Sequence, residues 1–441
     1  MTTSATSTAP APAPAAGGAV QQLDVLVVGA GFSGMYLITK LRALGLSFHV
    51  VEAGHEVGGT WYWNRYPGAR VDVKSVTYSY SWDKDLEQEW TWREKFAPQP
   101  ELMEYIRHVA DRHELRRDIS FQTRVTSAHW QEADQHWLIT TDTGARYSAK
   151  WFIMATGCLS VPKMPDFKGL SSFKGDWYHT GLWPHEGVDF TGKRVAVIGT
   201  GSTSIQATPQ IVKQAEHVWV FQRTPNYSIP AWNGPQDPEE EARFKADYDA
   251  FRQAARTTVT GDIFPMGEKL IAETPLDEVH AELERCWNEG GFIFLTSFAD
   301  ILTNKASNDI VAEFVRNKIR QTVKDPATAE LLCPRNTFGT KRMCVDTGYY
   351  AVYNEPNITL VDAKTHPITE ITENGLRTTE REYEVDAIVF AIGFDAMTGP
   401  IFGVDIRGRG GEVLRETWAD GPRTYLGLMS HGFPNMFMIT G

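Results

Sequence analysis

The chain has 441 residues, a formal net charge of −12 and a hydrophobic content of 42%. This length suits two or three domains, and the composition is that of a packed globular protein. The negative charge argues against nucleic acid or an anionic membrane as the main partner, and no stretch approaches the ~20 apolar residues that a membrane span needs.

The first 22 residues are rich in Ala, Pro, Thr and Ser. They lack the basic start and the continuous apolar core of a signal peptide. We therefore interpret residues 1–22 as a disordered tail.

The four cysteines are scattered along the chain, at Cys158, Cys286, Cys333 and Cys344. The absence of CxxC and CxxxxC spacing disfavours a zinc site and the redox-active cysteine pair of flavin disulfide reductases. We predict no bound metal, and a reducing cytoplasm is the natural location for such thiols.

Residues 23–52 have the pattern of a dinucleotide-binding unit. An apolar strand over 23–28 is followed by a glycine-rich turn, a helix with leucines at helical spacing, and a second strand. Such a turn lets the backbone and a helix N-terminus approach a pyrophosphate, and a carboxylate after the second strand accepts hydrogen bonds from a ribose diol. The predicted dinucleotide contacts are Gly29, Gly31, Phe32, Ser33, Gly34 and Glu52.

A glycine-rich and aromatic loop follows over residues 58–72. This loop could pass over a flavin ring and end in the carboxylate of Asp72. Core packing is the alternative for Tyr62 and Trp63, and a loop-capping carboxylate is the alternative for Asp72. From this loop we predict Gly59, Thr60, Trp61 and Asp72 as cofactor contacts.

Residues 128–157 have the pattern of a small meander, with a turn at 141–144. It ends in an apolar strand that runs into Ala155-Thr156-Gly157, a common exit from flavin-binding domains by resemblance. Tyr78, Val125 and Thr156 complete the predicted flavin contacts.

Residues 173–184 form an unusual segment before a second dinucleotide-binding pattern. Phe173, Gly175, His179, Thr180, Trp183 and Pro184 lie there at fixed spacing. Because this segment lies between the two dinucleotide-binding patterns, we predict that His179 lies in a linker between domains. It either ties domain movement to cofactor binding or is a structural histidine of the linker. A His179→Ala variant with unchanged activity would exclude the coupling role.

The second dinucleotide-binding pattern covers residues 194–224. A strand over 194–198 leads into Gly199, Thr200, Gly201, Ser202 and Thr203, with Ser204 replacing the third glycine. Pro209 predicts a kink or a late start of the next helix. Arg223 and Thr224 follow the next strand, where the first site has acidic Glu52. An arginine suits a 2′-phosphate, so the first site is predicted to bind FAD and the second NADP(H). The alternative is that Arg223 is a solvated side chain at the end of the strand and binds no phosphate.

Residues 236–330 are charged and amphipathic at helical spacing. We predict a helical insertion in the NADP-binding domain, which either shapes access to the active site or is a surface decoration. Further on, Lys341 and Arg342 stand next to each other in a loop. Taken alone, such a pair is more often a solvated surface feature than a functional one. Residues 387–395 resemble the earlier strand exit and predict the return of the chain to the FAD domain.

The chain end, Met436 to Gly441, has the pattern of a buried strand that runs into a turn. A compact domain seldom stops there. We therefore expect the native protein to continue beyond this point.

The segments 58–72, 173–184 and 338–350, with the two dinucleotide patterns, resemble the Baeyer–Villiger monooxygenases, the class B flavoprotein monooxygenases. The resemblance implies FAD as the cofactor and NADPH and O2 as co-substrates. It also implies a C4a-peroxyflavin that converts a ketone into an ester or a lactone. It implies that Arg342 is the essential arginine and that Lys341 contacts the 2′-phosphate. A fixed guanidinium can stabilise the anionic oxygens of this reaction, and Asp72 can hold and polarise Arg342.

The predicted architecture is α/β, with two Rossmann-like domains for FAD and NADP and the helical insertion in the second. The predicted boundaries are FAD-binding 23–160, linker and NADP-binding 161–235, insertion 236–330, NADP-binding 331–380 and FAD-binding 381–441. Two alternatives are an N- or S-oxidising flavin monooxygenase and a non-oxygenating NADPH oxidase or sensor. The expected partners are a ketone and O2.

Overall fold

The computed structural model of the protein describes residues 19–439 with the exception of 259, 260, 263 and 265. Residues 1–18 of the predicted tail and the predicted turn at Thr440 and Gly441 lie outside the described residues. The end of the predicted tail differs from the prediction, because Gln21 and Gln22 already belong to the first strand and pair with Tyr147 and Ser148.

Eighteen strands occur within the described residues. In chain order they are β1 (Gln21–Val28), β2 (Phe48–Val51), β3 (Ile119–Ser120), β4 (Val125–Gln131), β5 (His136–Thr141), β6 (Arg146–Met154), β7 (Asp176–His179), β8 (Arg194–Ile198), β9 (His217–Gln222), β10 (Ser228–Pro230), β11 (Cys344–Asp346), β12 (Ile358–Asp362), β13 (Ile368–Thr372), β14 (Gly375–Thr378), β15 (Glu382–Glu384), β16 (Ala387–Phe390), β17 (Asp405–Arg407) and β18 (Met436–Met438).

The α-helices in the same part of the chain number thirteen. In chain order they are α1 (Phe32–Ala43), α2 (Thr60–Trp63), α3 (Lys84–Glu89), α4 (Gln99–Arg112), α5 (Ser202–Val212), α6 (Pro238–Ala246), α7 (Tyr248–Ala255), α8 (Leu276–Glu289), α9 (Lys305–Thr322), α10 (Pro326–Leu332), α11 (Tyr349–Val352), α12 (Gly399–Phe402) and α13 (Leu414–Thr417). No described helix is both long and apolar enough to cross a membrane.

The chain divides into two units, and the first contains residues up to 64, 102–163 and those from 394 onwards. Its sheet has the order β17-β4-β5-β6-β1-β2-β3, with β18 paired to the end of β6. Strand β1 is parallel to both β2 and β6. Leu26 and Val27 of β1 are fully buried, as expected for a central strand that is covered on both faces.

The predicted meander of the first unit is present as β4, β5 and β6, which pair antiparallel. Gly144 in the turn between β5 and β6 has a φ of 82°, which a residue with a side chain rarely adopts. The first half of β6 pairs with β5 and its last three residues pair with β18, so one long strand joins the meander to the parallel part of the sheet.

The second unit contains residues 65–101 and 164–393. Its main sheet is parallel throughout, with the order β12-β9-β8-β16-β7. Strand β16 lies between β7 and β8, whereas the sequence assigned it to the returning FAD domain. The reason is that an apolar strand suits any parallel sheet, and only its pairing decides to which sheet it belongs.

The structure also corrects the assignment of residues 65–101. The sequence assigned them to the FAD domain, but they belong to the second unit. The structure ties them to the second unit by specific contacts. The Tyr66 hydroxyl donates to Gln206 Oε1 at 2.8 Å, and Lys74 Nζ lies 2.5 Å from Glu240 Oε1. These partners are distant in sequence, so no local pattern could indicate them.

The segment between β10 and β11 is mostly helical and contains α6 to α10. Their buried residues, such as Leu283 and Val315, join the core on one side of the sheet of the second unit. Strands β13, β14 and β15 form a separate antiparallel sheet on which a second core cluster is built, with Leu376 fully buried. Helix α5 begins at Ser202 and includes Pro209, so the predicted late start does not occur.

Candidate functional site

The two glycine-rich turns have the same local geometry. Gly29 follows β1 with a φ of 103°, and Gly199 follows β8 with a φ of 113°. A Cβ atom at Gly29 would lie 2.5 Å from the carbonyl oxygen of Ala155, and one at Gly199 would lie 2.4 Å from that of Ala391. Ala155 and Ala391, which directly follow β6 and β16, therefore approach the turns so closely that only glycine fits there.

In the first unit, the turn after β1 leads directly into α1, whose first two residues are Phe32 and Ser33. Gly31 faces Gly59, because a Cβ at Gly59 would lie 2.9 Å from the Cα atom of Gly31. Gly34 packs against the turn, where a Cβ would lie 1.9 Å from the Gly29 carbonyl oxygen. Bare backbone therefore surrounds the N-terminus of α1, as a bound pyrophosphate requires.

The Glu52 carboxylate is buried beside this turn, with 6% of its surface exposed. Oε2 accepts a hydrogen bond from the Ala30 N–H and Oε1 accepts one from the Gly54 N–H, each at 2.7 Å. Burial raises the pKa of Glu52 above its ordinary value, and the two N–H donors oppose this shift. Each oxygen keeps a second lone pair, so Glu52 can also accept from ribose hydroxyls.

The other predicted flavin contacts divide between the two units. Thr60 and Trp61 begin α2 after Gly59, and Thr156 lies beside Gly29, where a Cβ would be 3.5 Å from the Thr156 Cα. Val125 is buried at the start of β4. Tyr78 belongs to the second unit, where burial and the Asp72 charge raise the pKa of its hydroxyl.

In the second unit, Gly199 to Thr203 form the turn after β8 and the first turn of α5. A Cβ at Gly201 would meet no described atom within 4 Å, so the space before the helix N-terminus is open for a phosphate. Ser204, in place of the third glycine, is fully buried, so a small residue still allows helix and strand to pack. Thr200 Oγ1 donates to the Thr224 carbonyl oxygen at 2.9 Å.

The loop after β9 contacts the loop that carries Lys341 and Arg342. Asn226 Nδ2 donates to the Arg342 carbonyl oxygen at 3.2 Å and to Cys344 Sγ at 3.1 Å. Ser202 Oγ lies 3.2 Å from the same sulfur atom. The three segments with predicted NADP contacts therefore meet at Cys344, and the side chains of Arg223 and Lys341 are exposed on the loops.

Cys344 itself is a buried thiol. Burial raises its pKa to about 11, so it remains protonated at neutral pH. All four cysteines are free thiols, and no cluster of metal-ligating side chains occurs among the residues that the structure describes. Cys344 thus connects the loops without a redox partner.

The predicted catalytic pair is formed within the second unit. Arg342 donates to Asp72 Oδ2 from Nε at 3.1 Å and from a terminal nitrogen at 2.7 Å. The guanidinium carbon lies 4.8 Å from the centre of the Phe292 ring, a cation–π contact. The Arg342 side chain remains 64% exposed and that of Asp72 26% exposed. Asp72 and Phe292 therefore orient a guanidinium whose other side is accessible.

The sequence suggested that His179 lies in a linker between domains, but the structure places it in a strand. It is the last residue of β7, it pairs with Phe390 of β16, and only 2% of its surface is exposed. Its Nδ1 accepts a hydrogen bond from the Gly181 N–H at 3.0 Å, which places the ring proton on Nε2 in the neutral form. Trp183 of the same segment packs on Phe190 in the core.

Two residues of this site were missed by the sequence reasoning. Asn226 stands three positions after Arg223 in the same loop, and its side chain amide was a signal that could have been used. Phe292 had no comparable signal, because aromatic residues are frequent in that segment and their contacts depend on the fold.

The model of the pyridine nucleotide-disulphide oxidoreductase family matches residues 26–246. The 2-oxo-Δ3-4,5,5-trimethylcyclopentenylacetyl-CoA monooxygenase of Pseudomonas putida is 42% identical over 427 residues, which are 95% of this chain and 78% of that protein. A Baeyer–Villiger monooxygenase of Pseudooceanicola batsensis is 42% identical over 95% of this chain and 77% of its own length.

Solved structures are similarly close. An oxidised steroid monooxygenase bound to NADP has a TM-score of 0.92 and 51% identity, and covers 96% of this chain and 81% of its own. OTEMO in complex with FAD and NADP has a TM-score of 0.92 and 41% identity, and covers 96% and 80%, respectively. The α/β class with two Rossmann-like domains, predicted from the sequence, is thereby confirmed.

Proposed function

Because this chain belongs to the Baeyer–Villiger monooxygenases, within the pyridine nucleotide-disulphide oxidoreductase family, we propose specific roles for the residues of its site. It is an FAD- and NADPH-dependent flavin monooxygenase that inserts one oxygen atom of O2 next to a ketone carbonyl to give an ester or a lactone. The observation on which the proposed active site rests is the Asp72–Arg342 ion pair.

We propose that the first unit is the FAD domain. The bare backbone at Gly29, Gly31 and Gly59 fits a pyrophosphate, and the buried Glu52 carboxylate fits the ribose diol. The second unit would be the NADP domain, with the phosphates before α5 at Gly201. Arg223 and Lys341 would hold the 2′-phosphate, since both are exposed cations on loops that meet at Cys344.

Arg342 is proposed as the catalytic residue. Bound FAD, once reduced, would supply the activated oxygen, and its reaction with a ketone would place negative charge on oxygen atoms. A guanidinium keeps its charge at every physiological pH and can donate from its accessible side to those oxygens. Asp72 holds the other side of Arg342 in place with two hydrogen bonds, and is a positioning residue.

The remaining assignments rest on indirect support. The helical segment supplies Phe292, which supports an active-site role for that segment over a surface decoration. We propose a cytoplasmic location because the four cysteines are free thiols, as a reducing compartment favours. His179 is proposed to couple cofactor binding to movement from its buried position at the end of β7.

Incubation of the protein with NADPH and a panel of small cyclic, large cyclic, aryl and linear ketones tests the function. We expect esters or lactones that are 16 mass units heavier than the ketones, a difference of one oxygen atom. Mass spectrometry of the products, with amine and sulfide substrates in parallel, distinguishes the alternatives. N- or S-oxides without esters, or hydrogen peroxide alone, would contradict the proposed reaction.

Replacing Arg223 with alanine tests the 2′-phosphate site. We expect KM for NADPH to rise about 10- to 100-fold, because a charge-assisted hydrogen bond to a phosphate contributes roughly 1.5–3 kcal/mol. KM for NADH should change little, because NADH lacks the 2′-phosphate. An unchanged KM for NADPH, measured by steady-state kinetics, would assign Arg223 to a solvated strand end, and equal losses for both coenzymes would also contradict the 2′-phosphate site.

A further inference from the structure

An apolar cavity of about 80 Å3 lies within the second unit. Five aromatic rings line it, those of Phe96, Phe244, Phe251, Phe264 and Phe292. They come from the segment before α4, from helices α6 and α7, and from the stretches that follow α7 and α8. A cavity with this lining takes an apolar molecule.

The cavity adjoins the proposed catalytic pair. Asp72 lines its wall and accepts two hydrogen bonds from Arg342. Phe292 lines it as well, and the Arg342 guanidinium stacks on the ring of that residue. A ketone whose carbonyl lies at Arg342 would therefore extend its remote part along this wall.

Charged groups in the wall are mostly neutralised by neighbours. Lys74 is paired with Glu240 at 2.5 Å, and Glu289 is paired with Arg285 at 2.8 Å. Lys95 differs, because its ammonium group forms no ion pair with any residue that the structure describes.

The surroundings of Lys95 fit an additional anion. Its Nζ donates to the Glu289 carbonyl oxygen at 3.1 Å and lies 5.4 Å from the centre of the Phe96 ring. An ammonium group has three donors, so two remain after this bond. Burial and, next, the charge of Lys74 lower the pKa of Lys95, and the charges of Glu240 and Glu289 oppose this shift. Three carboxylates also line the cavity, those of Asp72, Asp262 and Glu289, and they oppose an anion except where a cation balances them.

We propose that the cavity binds the remote part of the ketone substrate and that Lys95 pairs with a carboxylate on that part. The preferred substrates are then keto acids with an apolar body between the carbonyl and the carboxylate. This inference rests on the proposed active site at Arg342. Lys95 is a specificity residue and takes no part in the oxygen transfer.

The test compares two substrates that differ only in charge, a cyclohexanone with a butanoate side chain and the methyl ester of the same compound. The measured quantity is the ratio of kcat/KM for the acid to kcat/KM for the ester. In the wild-type protein we expect this ratio to exceed that of a Lys95→Gln variant by about tenfold or more, mainly through KM.

Two further variants control for charge and folding. Lys95→Arg keeps the positive charge and should retain most of the wild-type ratio. Lys168→Gln removes a surface lysine that pairs with Glu370 outside the cavity wall, and should leave the ratio unchanged. A ratio that falls equally in Lys95→Gln and Lys168→Gln would overturn the proposal, because it would then reflect only net charge.

Inhibition of the wild-type protein gives a second measurement that needs no variant. Cyclohexanebutanoate, which lacks the ketone, should compete with a neutral ketone about tenfold more strongly than its methyl ester. Equal inhibition by the two compounds would overturn the role of Lys95 while neutral ketones are still oxygenated. Failure to oxygenate any ketone would instead reject the proposed function itself, so the two failures are distinguishable.

Discussion

An Arg342→Ala variant should reduce its flavin with NADPH at a near wild-type rate and yet form ester at least about 1,000-fold more slowly. Loss of one donor to a developing oxyanion costs a factor of 100 to 1,000, and here a permanent charge is lost as well. Hydride transfer to the flavin precedes the build-up of negative charge on the oxygens of the ketone adduct and does not depend on it. Anaerobic bleaching of the flavin absorbance and product analysis measure the two steps separately.

Two variants refine this expectation. Arg342→Lys keeps the charge but loses the planar fork that donates twice to Asp72, so we expect it to recover only a small part of the activity. Asp72→Ala leaves the guanidinium in place without its partner and should slow ester formation less than Arg342→Ala does. Wild-type ester formation by Arg342→Ala would move the active site elsewhere.

A Gly31→Ala variant should lose FAD without losing its fold. The backbone of Gly31 has a φ of −78°, which alanine adopts freely, and the added Cβ would lie 3.5 Å from the nearest atom, the Cα of Gly59. The methyl group would fill the space that a pyrophosphate needs. We expect FAD affinity to fall roughly 100-fold, about 2.7 kcal/mol, for one or two lost charge-assisted hydrogen bonds.

The measurement is the Kd for FAD by fluorescence titration, with circular dichroism to verify the fold. Gly403→Ala is the matched control in the same unit, since its Cβ would meet atoms at 3.5 and 3.6 Å and no ligand is proposed there. Gly34→Ala should differ from both, because its Cβ would lie 1.9 Å from the Gly29 carbonyl oxygen and the unit itself would be destabilised. Full FAD binding by Gly31→Ala would exclude the pyrophosphate site.

The local parts of the fold could be predicted from the sequence. The strands that precede Gly29 and Gly199 are apolar and end in glycine-rich turns, and the helices after them follow the expected spacing. Ala155 and Ala391, which directly follow β6 and β16, also belong to a strand exit that could be recognised in the sequence. Such features are encoded within a few residues, so the chain displays them directly.

The non-local parts could not be predicted in this way. Asp72 and Arg342 are 270 positions apart, and only the family resemblance brought them together before the structure did. The contact of Phe292 with Arg342 and the position of β16 between β7 and β8 had no local signal at all. Pairing and packing between distant segments depend on the complete fold, and a single sequence does not contain their register.

The order of segments in the two units has a consequence for how the protein is made. The chain passes between the units four times, and the first unit receives β17 and β18 only from the segment after residue 393. During synthesis at the ribosome, the sheet around β6 therefore stays incomplete while the whole second unit emerges. The sheet that carries the proposed flavin site therefore receives these two strands only after the second unit has been synthesised.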